Sequence, residues 1–390
     1  MSIRREFQLA VVGLGGIGSS AAYWASRRVG ADVLGLERFE LGHERGASQD
    51  HSRLIRLSYH TPRYVRFARE AYGAWAEVEE EAGERLIVKT GGIDLYPESA
   101  YGWMDDYTVA LDEVGVPYEW IGADELMQRW PQWVVSPDVR AMLQADTGIL
   151  AAAAANAAHR RLAVRAGATL IDRARVLTIH EVGGMYELQT EAGTYRAERV
   201  ILAADAWTNE LLAQLWRPID LTVTQEQVHY YDSRDTDAFA PEQFPVWIWQ
   251  GVPSFYGLAA FDGQGTKIGQ DVGGAQVTAE TRSFEPDTAY SARLDAFMQD
   301  HLPGGFGPYQ TRKTCLYTMT PDRDFVIDLV PGHERVALGQ GAAHAMKFAS
   351  VFGRSLVELV FDGHAASDLS AWSVRREVLT MEDPPRSFWM

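Results

Sequence analysis

The stretch Leu9-Ala10-Val11-Val12-Gly13-Leu14-Gly15-Gly16-Ile17-Gly18 contains a short apolar run followed at once by a Gly-x-Gly-x-x-Gly turn. The run is typical of a strand buried on both faces of a parallel sheet. Residues 19–25 then predict a helix, and a second apolar strand at 33–36 ends at Glu37. Strand, glycine turn, helix, strand and acid within about thirty residues predict a dinucleotide-binding unit.

Each glycine of this turn has a physical reason. Gly13 permits the tight turn, Gly15 lets the backbone approach a pyrophosphate, and Gly18 allows the helix to pack closely on the strand. The helix N-terminus would direct N–H groups and its dipole at the phosphates, and Glu37 would accept hydrogen bonds from ribose hydroxyls. The motif does not distinguish FAD from NAD, so both cofactors remain open at this point.

Composition and charge exclude several classes of protein. The 390 residues are 46% hydrophobic and 23% charged, which is ordinary for a globular protein of two or three domains. The net charge is −17 and no basic run is present, so we expect no nucleic-acid partner. No stretch approaches the roughly 20 apolar residues that a membrane span needs. The single cysteine, Cys315, excludes an intrachain disulfide and predicts a cytoplasmic protein.

Nucleotide-fold character recurs along the chain, with β-rich, aromatic sequence at 217–320. Further strands are predicted at 169–171, 200–204, 325–327 and 336–338, and helices at 64–81, 151–164 and 346–361. The pattern predicts an α/β protein with a discontinuous Rossmann-like nucleotide-binding domain and a β-rich, mixed-sheet (α+β) substrate domain. The first would comprise residues 1–85, 146–216 and 321–390, and the second residues 86–145 and 217–320.

Several charged or reactive residues have both an ordinary and a functional interpretation. Arg53 and Arg56 would share a helix face, either as surface charge or as a site for a carboxylate. Cys315 taken alone is typical of a small buried hydrophobe. Lys267, in a predicted strand, is either exposed or directed at a flavin, where it would stabilise a developing superoxide or peroxide charge. Lys347, at a predicted helix start, is either solvated or held there for an anion.

Taken together, these residues resemble the monomeric sarcosine oxidase and N-methyltryptophan oxidase family of FAD-dependent amine oxidases. The resemblance runs over nearly the whole chain, and its most specific pieces are Cys315-Leu316-Tyr317-Thr318 and His344-Ala345-Met346-Lys347-Phe348. It also covers the Lys89-Thr90-Gly91-Gly92 turn and the strand end at 203–207.

The resemblance implies FAD held covalently, through a thioether from Cys315 to the flavin 8α-methyl group. It implies that Arg53 lies against the flavin ring, that Arg56 and Lys347 bind the substrate carboxylate, and that Lys267 promotes the reaction with oxygen. Tyr256 and Tyr317 would line the amine pocket, and Val176 would meet the adenine through its backbone. The cofactor residues implied in addition are Arg38, Ser48, Trp207, Met346 and Lys347, beside Gly13, Gly15, Gly18 and Glu37.

The chain departs from the family pattern at several positions. Ser48 and Gln49 replace two histidines, Asp271 replaces a third, and Asp205, Ala343 and Ala345 replace glycines. These changes affect the expected substrate more than the expected flavin chemistry. Trp247 and Trp249 could shape a pocket for a larger side chain or belong to the core.

The resemblance predicts oxidation of a secondary amino acid of the N-methyl type, with O2 as acceptor and hydrogen peroxide as product. We expect a monomer whose partners are the small amino acid and O2, without a metal or membrane. Three alternatives remain open. They are an oxidase of a cyclic, pipecolate- or proline-like imino acid in a biosynthetic pathway, a nicotinamide-dependent dehydrogenase, and a non-catalytic flavin-binding protein.

Overall fold

The computed structural model describes residues 5–387, so the outermost ends of the domain predicted to span 1–85 and 321–390 lie outside the described residues. The α-helices of this range are α1 (Gly16–Val29), α2 (Pro62–Ala82), α3 (Met104–Val114), α4 (Ala123–Arg129), α5 (Ala152–Arg165), α6 (Thr208–Leu212), α7 (Thr288–His301) and α8 (Ala349–Asp362). The strands are β1 (Glu6–Val12), β2 (Val33–Leu36), β3 (Arg53–Ile55), β4 (Ile87–Lys89), β5 (Gly92–Tyr96), β6 (Glu119–Gly122), β7 (Arg140–Gln144), β8 (Gly148–Leu150), β9 (Thr169–Ile171), β10 (Val176–Val182), β11 (Met185–Thr190), β12 (Gly193–Leu202), β13 (Thr222–Tyr231), β14 (Val246–Trp249), β15 (Ser254–Leu258), β16 (Thr266–Asp271), β17 (Ala275–Gln276), β18 (Tyr309–Met319), β19 (Val326–Val330) and β20 (His333–Gln340).

The first sheet is built around β1, which pairs in parallel with β2 and β12. Its strand order is β10-β11-β12-β1-β2-β9, and β20 joins β12 and carries β19. Leu9 and Val11 belong to one apolar cluster and Ala10 and Val12 to another, on opposite faces of the sheet. Burial on both faces explains the unbroken apolar run in the sequence and confirms the predicted first strand.

The second sheet has nine strands in the order β17-β13-β16-β15-β14-β5-β7-β6, with β18 paired to β13. Its strands come from residues 92–144 and 222–319, whereas those of the first sheet come from residues 6–36, 169–202 and 326–340. The exact domain boundaries stay a prediction. No helix among residues 5–387 is long and apolar enough to cross a membrane.

One predicted element is wrong. Arg53 lies in β3, which pairs antiparallel with β8, and the helix expected around Arg53 and Arg56 is absent. The sequence Arg53-Leu54-Ile55 is short and its apolar residues are buried, so pairing with β8 prevails over a helical turn. Arg56 lies just beyond the strand end. The helix predicted at 346–361 is a short 3₁₀ turn, Ala345–Phe348, followed by α8.

Candidate active site

The glycine turn between β1 and α1 has no room for a side chain at Gly13 or Gly18. Gly13 has φ +89°, and a Cβ there would come within 2.5 Å of the Ala203 carbonyl oxygen. A Cβ on Gly18 would lie 1.7 Å from the Gly13 carbonyl oxygen, so the lack of a side chain at Gly18 allows α1 to pack closely against the turn. The N-cap residue of α1 is Gly15, which has no side chain, and the first turn contains no acidic residue. The Gly16 N–H donates to Ser48 Oγ at 2.9 Å. These features fit a bound pyrophosphate.

Glu37 lies at the end of β2, where the sequence placed it. Its carboxylate accepts hydrogen bonds from the backbone N–H groups of Leu14 at 2.7 Å and Phe39 at 3.1 Å. His43 Nε2 lies 3.2 Å from the same carboxylate. Burial opposes ionisation, but these hydrogen bonds hold the pKa of Glu37 below its usual value. The carboxylate is therefore a fixed acceptor beside the turn, as ribose hydroxyls require.

Arg160 on α5 is a site residue that the sequence did not reveal. It lines the same cavity as the glycine turn, and its guanidinium donates a long hydrogen bond of 3.5 Å to Ser19 Oγ. Among the described residues no carboxylate lies within 4.0 Å of its guanidinium, and burial lowers its pKa. A guanidinium in this position fits the diphosphate of a dinucleotide. An arginine inside an Ala-rich helix carries no sequence signal for such a role.

A cavity of about 240 Å³ runs from this turn to the second sheet. Its wall contains most of the residues predicted for the site: Gly13, Gly15, Glu37, Arg38, Ser48, Arg53, Arg56, Val176, Trp207, Tyr256, Cys315, Tyr317, Met346 and Lys347. Gly18 and Lys267 are not part of this wall. The structure thus brings residues that are more than 300 positions apart in the sequence into one space.

Strand register explains which residues of the second sheet face the cavity. Ile248 pairs with Tyr256, and Tyr256 pairs with Gly269. Directly paired residues, and residues two apart on one strand, point to the same side. The predicted site residues on this side are Tyr256, Lys267, Cys315 and Tyr317, together with Asp94 and Asp271. A Cβ at Gly269 would lie 2.6 Å from the Tyr256 ring, so this glycine makes room for it.

Trp247 and Trp249 point to the other side of the sheet. Trp247 packs against Trp133, with ring centroids 5.3 Å apart, and stacks on Phe297 at 5.3 Å. Trp249 contacts the same Phe297 ring at 5.5 Å. Of the two interpretations, membership of the core is confirmed.

Arg56 and Lys347 form a pair of buried cations beside the Tyr59 ring. Arg56 lies 3.2 Å from Asp94, and its guanidinium is 4.7 Å from the Tyr59 ring centroid. The Lys347 ammonium is 5.8 Å from the same centroid, and no hydrogen bond or ion pair joins it to another residue of the described range. Burial, with the charge of Arg56, lowers the pKa of Lys347 to about 7. Arg56 is balanced by Asp94, whereas the charge of Lys347 is not balanced by an ion pair. A bound anion would supply the missing negative charge at this end of the cavity.

Asp271 faces the cavity in a bidentate ion pair with Arg323, at 2.8 and 2.6 Å. Burial opposes ionisation, but Arg323 holds the pKa of Asp271 below its usual value. Arg323 also lines the cavity and was not found from the sequence, because its partner is 52 residues away. Cys315 lies on β18, which pairs with β13. Burial raises the pKa of its thiol to about 11.

Lys267 is 1% exposed and its ammonium is held by the protein. Its Nζ donates to Asp50 Oδ2 at 2.5 Å and to the Ser52 carbonyl oxygen at 2.6 Å. Arg53 forms an ion pair with the same Asp50 carboxylate. Of the two interpretations of Lys267, the exposed strand lysine is wrong, and the oxygen role stays a prediction.

Comparisons with known proteins agree with this geometry. The sequence model of the FAD dependent oxidoreductase family matches residues 8–359. A monomeric sarcosine oxidase from Streptomyces avermitilis is 31% identical over 387 residues, covering 95% of this chain and 97% of the relative. An N-methyl-L-tryptophan oxidase from Yersinia pestis is 27% identical, covering 95% and 99%. The crystal structure of NikD, an amino acid oxidase essential for nikkomycin biosynthesis, has a TM-score of 0.84 at 26% identity, covering 95% and 97%.

The chain belongs to the FAD-dependent oxidoreductase family, in the group that includes monomeric sarcosine oxidase and N-methyl-L-tryptophan oxidase. Its fold is a Rossmann-like FAD-binding part joined to a β-rich substrate part. As a member of this group it is a flavin-dependent amine oxidase, and its cofactor is FAD rather than NAD.

Proposed function

We propose that the protein oxidises a secondary amino acid of the N-methyl type, with O2 as the electron acceptor. The products are hydrogen peroxide and an imine, which water hydrolyses. The observation that carries this proposal is the Lys347 ammonium, which has no carboxylate of a described residue within 4.0 Å and lies beside Arg56 in the cavity that also holds the glycine turn. A substrate carboxylate supplies the missing charge.

The carboxylate clamp orients the substrate. Arg56 donates a hydrogen bond to Asp94, and Asp94 also accepts one from Gln250 at 3.2 Å. The Arg56 guanidinium is therefore held in place before the substrate binds. Two cations that bind one carboxylate fix the position of the substrate amine relative to the cofactor. Holding the reacting groups in this orientation lowers the barrier to the reaction. Tyr256 and Tyr317 form the wall beside the amine.

The substrate amine must be neutral to react, because its lone pair stabilises the forming iminium. Arg56, Lys347 and Arg323 oppose a positive charge on the amine, whereas Asp271 and the substrate's own carboxylate favour it. When bound, FAD supplies the hydride acceptor and the two-electron chemistry with oxygen.

We also propose the finer assignments that the resemblance implied. Arg53 lies against the flavin ring, Lys267 promotes the reaction with oxygen, and Cys315 holds the flavin through a thioether. Thioether formation removes one hydrogen from the thiol and one from the 8α-methyl group, and O2 takes the two electrons and two protons as hydrogen peroxide. We further propose that the protein acts in the cytoplasm as a monomer.

Acid precipitation of the purified protein tests the cofactor linkage. We expect the yellow colour to stay in the pellet of the wild type and to appear in the supernatant of Cys315→Ala. Yellow colour in the wild-type supernatant would contradict the linkage. A substrate panel then separates N-methyl amino acids from cyclic imino acids, and flavin that no amine reduces would contradict catalysis altogether.

A further inference from the structure

Asp50 is a buried carboxylate at the centre of a cluster of donors. It is 3% exposed and accepts hydrogen bonds from Lys267 at 2.5 Å, from the Tyr230 hydroxyl at 2.9 Å and from the His51 backbone N–H at 2.8 Å. The Arg53 guanidinium is its fourth donor. A carboxylate has about four acceptor sites, so Asp50 is saturated and acts as an internal anion.

The charges around Lys267 explain what this anion does. Burial lowers the pKa of Lys267 to about 8, Asp50 opposes this effect, and Arg53 adds to it. The other groups that face the ammonium are the Cys315 thiol and the Tyr230 ring, whose centroid lies 5.3 Å away. Without Asp50, two buried cations would face one another, and Lys267 would lose its proton most easily.

A smaller cavity of about 150 Å³ reaches the same cluster from another side. Its wall contains Asp50, Arg53 and Cys315, and it includes the partly exposed pair of Glu44 and Lys313. Arg53 and Cys315 also belong to the wall of the large cavity. Neither Arg56 nor Lys347 belongs to the wall of this smaller cavity, so it reaches the cluster on a side away from the carboxylate clamp.

We propose that Asp50 is a positioning residue for the oxygen step, which holds the Lys267 side chain in place and keeps its ammonium charged. Conversion of O2 to hydrogen peroxide takes two electrons from the reduced flavin and two protons, and the first electron creates the negative charge that an ammonium stabilises. The inference rests on the proposed oxygen role of Lys267, but the state of the Lys267 proton is measurable without turnover.

The direct test is the pKa of Lys267 in the flavin-loaded, oxidised protein. The sequence contains only four lysines, Lys89, Lys267, Lys313 and Lys347, so protein labelled with 13C at lysine Cε gives few signals. Lys267→Met assigns its resonance. We expect Asp50→Asn to lower the pH midpoint of that resonance by about 1 to 3 pH units, and Asp50→Glu to restore it.

Tyr230→Phe is the matched control, because it removes a donor to Asp50 and keeps the carboxylate. Its Lys267 resonance is expected to titrate close to the wild-type midpoint. A wild-type midpoint in Asp50→Asn would overturn the proposal. A lowered midpoint with unchanged reoxidation of the reduced flavin by O2 would support the Asp50 assignment and contradict the oxygen role of Lys267.

A double variant keeps the test valid if Asp50→Asn folds poorly. In the Lys267→Met background one of the two buried cations is gone, so Asp50→Asn should lower the thermal midpoint much less than it does in the wild type. It should also cause no further slowing of reoxidation there. An equal loss in both backgrounds, or a double variant that fails to fold where Lys267→Met folds, would overturn the coupling.

Discussion

The two ends of the large cavity are built by different physical means. The cofactor end depends on backbone: glycines without room for a Cβ, the N-terminus of α1, and an acid fixed by neighbouring N–H groups. The substrate end depends on buried side-chain charges that meet only after distant strands pair, such as Arg56 with Asp94 and Asp271 with Arg323. We therefore expect the cofactor end to be disrupted by substitutions that add volume, and the substrate end by substitutions that remove a charge.

The largest effect is expected at the cofactor end, from Gly18→Ala. The added Cβ would lie 1.7 Å from a backbone carbonyl, a contact that no side-chain rotation relieves. We expect loss of bound FAD and of nearly all activity, measured as flavin absorbance per protein. Gly73→Ala in α2 is the control, because nothing lies within 4 Å of its added Cβ. Full flavin content in Gly18→Ala would contradict the backbone account.

At the substrate end, Lys347→Met should weaken binding of a substrate or carboxylate inhibitor about 10- to 100-fold. This is the range expected for loss of a charge-assisted hydrogen bond. The flavin absorbance change on titration of the flavin-loaded variant gives the dissociation constant. Lys89→Met, an exposed lysine paired with Asp146, is the control and should bind normally. Equal weakening in both variants would remove Lys347 from the clamp.

The pH dependence of inhibitor binding sharpens the same comparison. Lys347 binds a carboxylate only when protonated, and its pKa is lowered to about 7. Affinity for a simple carboxylate without an amine should therefore be complete below this pH and be lost as the pH rises through it, by at most about tenfold between pH 6 and 8. Lys347→Met should abolish the dependence. A pH-independent affinity in the wild type would contradict the assignment.

The smallest effect is expected on the far face of the second sheet. Trp249→Phe keeps an aromatic ring against Phe297 and His301, and Trp249 is not among the residues that line the cavity. We expect the relative kcat/KM values for a small and a bulky N-methyl amino acid to stay within about twofold of wild type. A strong shift in preference would show that the core assignment of this residue is incomplete.

The sequence predicted the cofactor end well, because its signals are local. Gly13, Gly18 and Glu37 lie within one βαβ unit, so spacing alone is sufficient. It also predicted α2 from helical periodicity between Tyr64 and Glu81. Trp247 remained ambiguous, because which face of a strand a residue occupies depends on pairing with other strands.

The contacts at the substrate end could not be predicted from local sequence signals. Asp50 and Lys267 are 217 residues apart, and Asp271 and Arg323 are 52 residues apart. Arg160 was missed at the cofactor end for a different reason, because it belongs to a helix with no motif of its own. The wrong helix at Arg53 has the same origin, because β3 exists only through its partner β8. Buried ion pairs form only through tertiary contact, so single members of these pairs were predictable from the sequence but their partners were not.

The central claim is that a carboxylate clamp presents a secondary amine to the flavin. Its most direct test is anaerobic mixing of the flavin-loaded protein with an N-methyl amino acid and, separately, with its methyl ester. We expect rapid loss of the oxidised flavin absorbance with the free acid and at least about tenfold slower loss with the ester, at equal concentration. Equally fast reduction by both, or by neither, would contradict it.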